Sequence, residues 1–387
     1  MNININLVRK QGDLFDLFIR NNSIIEQYHE DAPGGGHLFE YRFDPKSNRL
    51  FEIDPEVDKV DFVHFHVSYK PCTDVYYAVS HIRNDSTVDI DIMAYDLANE
   101  RSNLLCTFNE TLTVLTGRKR VNVFVLSRTQ LIVQTEEVAY GDTTSLMGTI
   151  AFSQVLYDTD AEEPIPVVEE NFINNGIHSI IPLNETEVVV KTGFSFLEDS
   201  RLSYGSEKEA LIESVYITTL SKLTADLSLK LTNIDMELLQ STYFEQFILK
   251  PEVKDDFVFY NVINVEKHES TCVFYNYVTK EKTVAVNTDI DMDDLRIAHI
   301  VANTPYVRRY MDSGCEFVNL VTAENDISFY DEAFIEVCGE LFITCRRHGK
   351  RSHLRVFRYP HMDIVLEERC NYTAGIFSGN DYYLYIE

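Results

Sequence analysis

The stretch that decides the fold is His37–Asp54, which reads HLFEYRFDPKSNRLFEID. Its first half alternates aromatic and charged residues, in the order Phe39, Glu40, Tyr41, Arg42, Phe43, Asp44. Because a β-strand sends successive side chains to opposite faces, this alternation predicts one apolar face and one charged face. The DPKSN segment that follows is rich in residues that favour tight turns, and the apolar pattern resumes after it. We therefore predict a β-hairpin.

Looser copies of this hairpin recur along the chain. We count about six units, spaced at roughly 50 to 65 residues with one longer gap. Their turns place an aromatic residue at the strand end and then Asp or a small residue, as in Phe43-Asp44-Pro45-Lys46, Tyr95-Asp96-Leu97-Ala98, Tyr157-Asp158-Thr159-Asp160 and Tyr277-Val278-Thr279-Lys280. This pattern resembles the outer hairpin of β-propeller blades in a degenerate form, without the tryptophan-aspartate, kelch or calcium-binding signatures of specific families.

The resemblance implies an all-β fold, a single β-propeller domain over residues 1–387. Six blades are favoured over seven, closed by pairing of the N- and C-terminal strands. The region at about 289–331 breaks the pattern and is either an irregular insertion or a degenerate blade. Short helical patterns occur at Lys208–Val215 and Asp235–Gln240, while Ile212–Leu231 predicts another hairpin.

The chain is strongly acidic, with 62 Asp and Glu residues against 34 Lys and Arg and a formal net charge of −28. Such a charge repels phosphate backbones and anionic lipid surfaces, so it argues against nucleic-acid and membrane partners. It is compatible with a basic or neutral protein partner. The alternative explanation is that the surplus carboxylates only keep a tyrosine-rich β-protein in solution.

The seven cysteines have irregular spacing and include no CxxC pair. An odd number at irregular spacing favours reduced thiols in a cytoplasmic protein over a disulfide framework. The N-terminal residues lack an apolar core of the length that a signal peptide needs, and no run is long enough to span a bilayer. A secreted chain whose signal had been removed would look the same. No cofactor is implied.

Two patterns in the sequence resemble cation sites. His64 and His66 share one face of a predicted strand, a spacing that a metal ion can use if a third ligand comes from elsewhere. Two solvated or core histidines are the simpler explanation, so we predict no metal. The segment Asp289–Asp294 resembles the start of a calcium loop, but Asp294 and Ile300 stand where such a loop needs Gly and Glu.

The stretch with the most unusual composition is Arg346–His353, which is rich in basic residues. In so acidic a chain, these cations predict a docking loop for phosphate, carboxylate or an acidic partner. The predicted binding residues are Arg346, Arg347, His348, Lys350, Arg351 and His353. The alternative is a solvated hairpin turn. Arg118–Arg120 and Arg308-Arg309 are smaller basic segments of the same kind.

Carboxylates near predicted strand ends allow a hydrolytic alternative, because paired carboxyl groups perform glycoside chemistry. These residues are Asp61, Asp74, Glu136, Glu137, Asp255, Asp256 and Glu332. No GxSxG, HExxH or phosphate-binding glycine motif is present. We therefore predict a non-catalytic propeller that binds a protein partner or other ligand through one rim of loops. The alternative is a carbohydrate-active or other hydrolytic propeller with carboxylates in its central channel. Catalytic residues stay unassigned.

Overall fold

The computed structural model of the chain describes residues 4–9, 14–20, 23–32, 35–44, 49–52, 63–69, 74–84, 87–96, 101–111, 117–139, 148–158, 165–166, 176–193, 213–228, 236–242, 246–264, 266–288, 297–348, 351–370, 372–378 and 381–386. Most of these residues lie in strands, and within these ranges there is one helix. The expectation of an all-β chain is confirmed. Contacts divide the chain into two compact units. Unit 1 is Met1–Tyr28, Tyr41–Phe51 and Pro251–Glu387, and unit 2 is His29–Glu40 and Glu52–Lys250.

The first five strands include the hairpin that the sequence predicts most clearly. They are β1 (Asn4–Arg9), β2 (Leu14–Arg20), β3 (Ser23–Ala32), β4 (Gly35–Asp44) and β5 (Arg49–Glu52). Strands β2 to β5 form one sheet in chain order. The predicted hairpin at His37–Asp54 is confirmed as the pair of β4 and β5.

Unit 2 also contains thirteen further strands and the helix α1. They are β6 (Val63–Tyr69), β7 (Val75–Asn84), β8 (Thr87–Asp96), β9 (Arg101–Thr111), β10 (Gly117–Val125), β11 (Gln130–Ala139), β12 (Gly148–Asp158), β13 (Ile165–Pro166), β14 (Ile177–Pro182), β15 (Glu187–Thr192), β16 (Ser214–Thr219), α1 (Leu220–Ser228), β17 (Glu237–Ser241) and β18 (Gln246–Ile248). Strands β7-β8-β9 form one sheet, β14-β15-β16-β17 a second, and β13-β12-β11-β10-β6 a third. In the third sheet, β6 runs parallel to β10.

Unit 1 contains the remaining strands. They are β19 (Glu252–Lys254), β20 (Phe257–Asn264), β21 (Glu269–Asn276), β22 (Glu281–Thr288), β23 (Ala298–Val301), β24 (Thr304–Met311), β25 (Gly314–Asn319), β26 (Asn325–Tyr330), β27 (Ala333–Cys338), β28 (Leu341–His348), β29 (Arg351–Arg358), β30 (Asp363–Glu368), β31 (Tyr372–Ser378) and β32 (Asp381–Ile386). Strands β19 to β22, β23 to β26 and β27 to β30 form three antiparallel sheets in chain order. Strand β32 lies between β1 and β31 in a fourth.

The alternation of apolar and polar side chains along each strand determines which face of the sheet packs into a core. In β8, Ile90, Ile92 and Ala94 are buried, while the alternating residues Asp89 and Asp91 are half-buried. Apolar faces of successive sheets then meet within each unit. In unit 2 one core joins the β7–β9 sheet to the β10–β13 sheet, and another joins the latter to the β14–β17 sheet. In unit 1 the β23–β26, β27–β30 and β31–β32 sheets pack in the same way.

The two terminal strands pair as the sequence predicts. Strand β1 runs parallel to β32, with Asn4 opposite Asp381 and Arg9 opposite Ile386. Such a pairing fixes neither the number of blades nor the closure of a ring. The described residues form eight sheets, a larger number than the six or seven hairpin units expected.

Three local predictions differ from the structure or are resolved by it. The predicted hairpin at Ile212–Leu231 is wrong, because β16 leads directly into α1, where Thr219 Oγ1 accepts a hydrogen bond from the backbone N–H of Lys222 at 3.3 Å. The helical pattern at Asp235–Gln240 is wrong as well, since β17 occupies it. Between 298 and 330, where the sequence left an insertion or a degenerate unit open, β23 to β26 form a regular sheet.

Candidate active site

Four side chains of different acid–base chemistry converge in unit 1. Glu336 and Cys338 lie two residues apart on β27, so they share one face of the strand. Tyr382, at the start of β32, is fully buried and donates a hydrogen bond from Oη to Glu336 Oε1 at 2.9 Å. The thiol of Cys338 donates to the same carboxylate oxygen at 2.9 Å. Tyr382 Oη also lies 3.2 Å from Cys338 Sγ, so the three groups form one cluster.

A glycine makes room for the phenol of this cluster. Gly375 lies on β31, next to β32. A Cβ atom at Gly375 would come within 1.8 Å of Tyr382 Oη, far inside van der Waals contact. Any larger residue there would push the hydroxyl away from Glu336. The missing side chain at position 375 is therefore a condition for the hydrogen bond between Tyr382 and Glu336.

Lys254 brings a positive charge to the same place. It ends β19, and its Nζ donates to the carbonyl oxygen of Ile300 at 2.7 Å. Burial lowers the pKa of Lys254, and the neighbouring acidic groups Cys338, Asp255, Glu252 and Glu336 oppose that effect. Lys254 is half-buried, as are Glu336 and Cys338, so solvent reaches part of the cluster.

Cys338 acts here as a hydrogen-bond donor. Burial raises the pKa of its thiol above the ordinary value, and the charge and hydrogen bond of Glu336 raise it further. The positive charge of Lys254 lowers the pKa of the thiol, but by less than the other effects raise it. A thiol with a raised pKa holds its proton at neutral pH and is a weak nucleophile. Within this cluster, the carboxylate of Glu336 accepts the hydrogen bonds of the thiol and the phenol.

Unit 2 contains a second charged cluster, which is enclosed. Lys191 on β15 and Glu213, directly before β16, lie 3.4 Å apart between Nζ and Oε2, and both are less than 2% exposed. Glu213 also accepts a hydrogen bond from the backbone N–H of Ile248. His178 lies close by, at a bulge in β14, and its Nδ1 is buried. Because both ions are shielded from solvent, this cluster fits a structural role better than a reacting one.

The structure places the predicted basic loop on a hairpin. Strands β28 and β29 pair with Arg346 opposite His353, and with His348 opposite Arg351. The side chains of Arg346 and His353 are half-buried. The side chains of Arg347, His348 and Arg351, and the whole of Gly349 and Lys350, lie outside the described residues. Docking through this loop stays a prediction.

Among the described carboxylates that the sequence singles out, Asp255 and Asp256 share one partner and the others have different partners. Asp74 lies 3.7 Å from Arg128, measured from Oδ2 to Nε. Glu332 accepts hydrogen bonds from the hydroxyl of Thr344 and from Arg355, the latter at 2.6 Å. Asp255 and Asp256 both bond to Asn303. Asp61 and the side chains of Glu136 and Glu137 lie outside the described residues. Within the described part, the structure does not bring these carboxylates together as a catalytic pair.

Sequence reasoning missed Lys254, Glu336 and Cys338. The available signal was the spacing of Glu336 and Cys338 on a predicted strand, which places both side chains on one face. Their partners, Lys254 and Tyr382, come from β19 and β32, and only the fold brings these strands to β27. The convergence could therefore not be derived from local pattern.

The structure leaves the predicted histidine pair undecided. His64 and His66 lie on β6, but their side chains are outside the described part of the chain. Among the residues that are described, no group of three or more His, Cys, Asp or Glu side chains is arranged to hold a metal ion. The same residues include no helix with the length and apolarity required to cross a membrane.

No known protein-family model and no curated protein sequence matches the chain. Its fold is similar to that of dipeptidyl peptidase 4 from Porphyromonas gingivalis, with a TM-score of 0.53 and 9% identity over 93% of this chain and 55% of that chain. The chain therefore spans 55% of the length of that structure.

Weaker likenesses exist to two archaeal proteins. One is the β-propeller domain of the trilobed protease from Pyrococcus furiosus, with a TM-score of 0.40 and 10% identity over 93% of this chain and 96% of that one. The other is acylaminoacyl peptidase from Pyrococcus horikoshii, with a TM-score of 0.40 and 9% identity over 97% of this chain and 65% of that one.

These comparisons correct the functional prediction. A non-catalytic interaction scaffold was expected because the sequence lacks catalytic motifs, but the similar structure with a TM-score of 0.53 is that of a peptidase. Of the two interpretations of the sequence, the hydrolytic alternative is the one that agrees with this similar structure. The physical reason for the error is that a motif search sees only groups that are close in sequence. The acid–base groups of this chain come from strands far apart in sequence.

Proposed function

We propose that this chain is a hydrolytic β-propeller that acts on peptide or amide bonds, with Glu336 as its general base. The observation that carries the proposal is the convergence of a carboxylate, a thiol, a phenol and an ammonium group at Glu336, Cys338, Tyr382 and Lys254. A partly accessible carboxylate among such groups is what general-base catalysis requires. The substrate class is suggested by the peptidases whose structures resemble this chain.

In the proposed fold, each of the eight sheets is one blade of a single propeller. Sheet-on-sheet cores within each unit support this proposal, because blades of a propeller pack face to face in sequence order. The pairing of β1 with β32 would then complete the blade that contains both termini. This proposal counts eight blades, whereas hairpin spacing predicts six or seven.

The proposed reaction needs one proton acceptor and one positive charge. Glu336 takes a proton from a water molecule, whose oxygen bonds to the carbonyl carbon of the substrate. The ammonium of Lys254 offsets the negative charge that develops on the carbonyl oxygen. Glu336 then returns the proton to the leaving nitrogen, the carbon–nitrogen bond breaks, and the carboxylate is regenerated. Tyr382 and Cys338 hold Glu336 in place through their hydrogen bonds.

The cluster favours amide over glycoside chemistry. Most glycosidases need two carboxyl groups that flank the glycosidic bond. The hydrogen-bonded cluster described here supplies one, Glu336, and pairs it with an amine, a thiol and a phenol. One carboxylate beside a positive charge suits the attack of water on a carbonyl group better.

The proposal can be tested by assaying the purified 387-residue chain against dipeptidyl and aminoacyl p-nitroanilides, with p-nitrophenyl glycosides in parallel. We expect hydrolysis of an anilide, and a loss of about 10²–10⁴-fold in kcat for Glu336→Gln, since glutamine cannot accept the proton. Glu368→Gln is the control, because Glu368 is an exposed carboxylate on β30. Tyr382→Phe, which removes one hydrogen bond to Glu336, should lose less activity than Glu336→Gln.

Two outcomes would overturn the proposal. One is full activity in Glu336→Gln. The other is the absence of anilide hydrolysis by the unmodified chain, with or without hydrolysis of a glycoside.

A further inference from the structure

Two tight turns of unit 1 face each other beside the candidate active site. The first joins β19 to β20 at Asp255 and Asp256, and the second joins β23 to β24 at Ala302 and Asn303. Asp255, Ala302 and Asn303 have positive φ angles of 52°, 48° and 58°. This left-handed conformation is uncommon outside glycine, and among other residues Asn and Asp adopt it most readily. The chain therefore accepts backbone strain at both turns.

Asn303 joins the two turns through both ends of its side chain. Its Nδ2 donates to Asp256 Oδ2 at 2.8 Å, and its Oδ1 accepts from the backbone N–H of Asp256 at 3.3 Å. Its own backbone N–H donates to Asp255 Oδ2 at 3.2 Å. Tyr277 also stabilises the first turn, because its Oη donates to the backbone oxygen of Asp255 at 2.9 Å. The turn that follows Lys254 is thus fixed relative to the turn that follows β23.

The same two elements hold the ammonium group of Lys254. Lys254 directly precedes the first turn, and its hydrogen-bond acceptor, the carbonyl oxygen of Ile300, lies on β23, which leads into the second. A shift between the two turns would change the distance from Lys254 Nζ to that oxygen. The charged or titratable groups that act on Lys254 are Cys338, Asp255, Glu252 and Glu336.

We propose that Asn303 is a positioning residue, which keeps the Lys254 ammonium on the Ile300 carbonyl and beside Glu336 by tying the β19–β20 turn to the β23–β24 turn. This inference rests on the proposed function, since it assigns Asn303 to the same site. Asn303 acts through Lys254, because it determines where the positive charge of that side chain lies.

The sharpest variant is Asn303→Gly. Glycine adopts a positive φ angle freely, so the turn keeps its backbone conformation while both side-chain hydrogen bonds are lost. Ala302→Gly is the matched control, because it relieves the same kind of strain in the same turn without removing a side-chain hydrogen bond. The titration of Lys254 can be followed by ¹³C nuclear magnetic resonance after reductive methylation, with the signal assigned by its loss in Lys254→Arg.

We expect the pKa of Lys254 to rise toward its ordinary value in Asn303→Gly, because the released ammonium gains solvent and burial is the main cause of the lowered pKa. Ala302→Gly should leave the titration unchanged. An unchanged Lys254 titration in Asn303→Gly, or an equal shift in both variants, would reject the inference.

Activity distinguishes this inference from the proposed function. If both hold, Asn303→Gly lowers kcat and preserves KM, since the charge is needed where the oxyanion forms. If Glu336→Gln retains activity while Asn303→Gly still shifts the Lys254 titration, the proposed function is wrong and the positioning role stands. The titration therefore judges the positioning role without relying on turnover.

Discussion

At the scale of single residues, His178 shows how burial and neighbouring charges shift the pKa of a histidine. Burial lowers its pKa first, and the positive charges of Lys191 and Lys250 lower it further, to about 3. Lys191 is itself held by Glu213, at 3.4 Å between the charged atoms. A protonated imidazole would add a third positive charge to this enclosed region. The folded chain therefore keeps His178 neutral.

This arrangement predicts a loss of stability in acid. In the unfolded chain His178 binds a proton below its ordinary pKa of about 6.5, whereas in the folded chain it does so only near pH 3. The unfolded state binds more protons between these values, so stability falls as pH decreases through that window, by at most ~1.4 kcal/mol per pH unit. His178→Asn should remove this contribution, and urea unfolding between pH 7 and pH 4 measures it.

His361→Asn is the control for this experiment, because His361 is exposed in the turn between β29 and β30. It should keep the pH dependence of the unmodified chain. The explanation fails if His178→Asn has the same pH dependence as that chain.

At the scale of elements, α1 shows where a strand pattern ends. Thr219 caps its first turn, and Leu223 is fully buried against Ile177 and Val188 of the neighbouring strands. Leu223→Ala should lower the free energy of unfolding by about 2–5 kcal/mol, through lost burial and the cavity that remains. Urea unfolding provides the measurement. Val278 is 63% exposed, so Val278→Ala should change the free energy of unfolding by less than ~1 kcal/mol. Equal effects of the two substitutions would contradict the packing described for α1.

Strands could be predicted from the sequence because their signal is local. The alternation in β8 depends only on next-nearest neighbours, and it places Ile90 and Ile92 in the core as expected. The helix could not be predicted with the same ease, since it has only nine residues and follows a strand without an intervening loop. The candidate site was less predictable still. Glu336 and Tyr382 are 46 positions apart, and their hydrogen bond depends on how β27 and β32 pack.

At the scale of the whole molecule, counting hairpins failed to give the number of sheets. The parallel pairing of β6 with β10 bypasses β7, β8 and β9, which form a sheet of their own. Hairpin spacing cannot show this pairing, because its partners are separated by another complete sheet. The final strand-like segment likewise contains two strands, β31 and β32.

The two ends of the chain meet in the sheet of β1, β32 and β31, and Val8 is the buried contact of β1. Val8 packs with Tyr383 and Tyr385, whereas its neighbour Leu7 is 40% exposed on the other face. The hydroxyl of Tyr385 donates to the buried Oε1 of Glu26 at 2.6 Å, so the polar groups of this core are already paired. A charge introduced there would be unfavourable, since it would lack a partner.

Val8→Asp should therefore destabilise unit 1 by at least ~2 kcal/mol, while Leu7→Asp should change stability by ~0.5 kcal/mol or less. Hydrogen–deuterium exchange gives the location of the effect. In Val8→Asp, exchange should increase in β31 and β32, because both lose the strand that covers the edge of their sheet, and β14 to β16 of unit 2 should keep their protection. Equal protection of β32 in the two variants would contradict this prediction. It would mean that the pairing of β1 with β32 contributes little to the stability of unit 1.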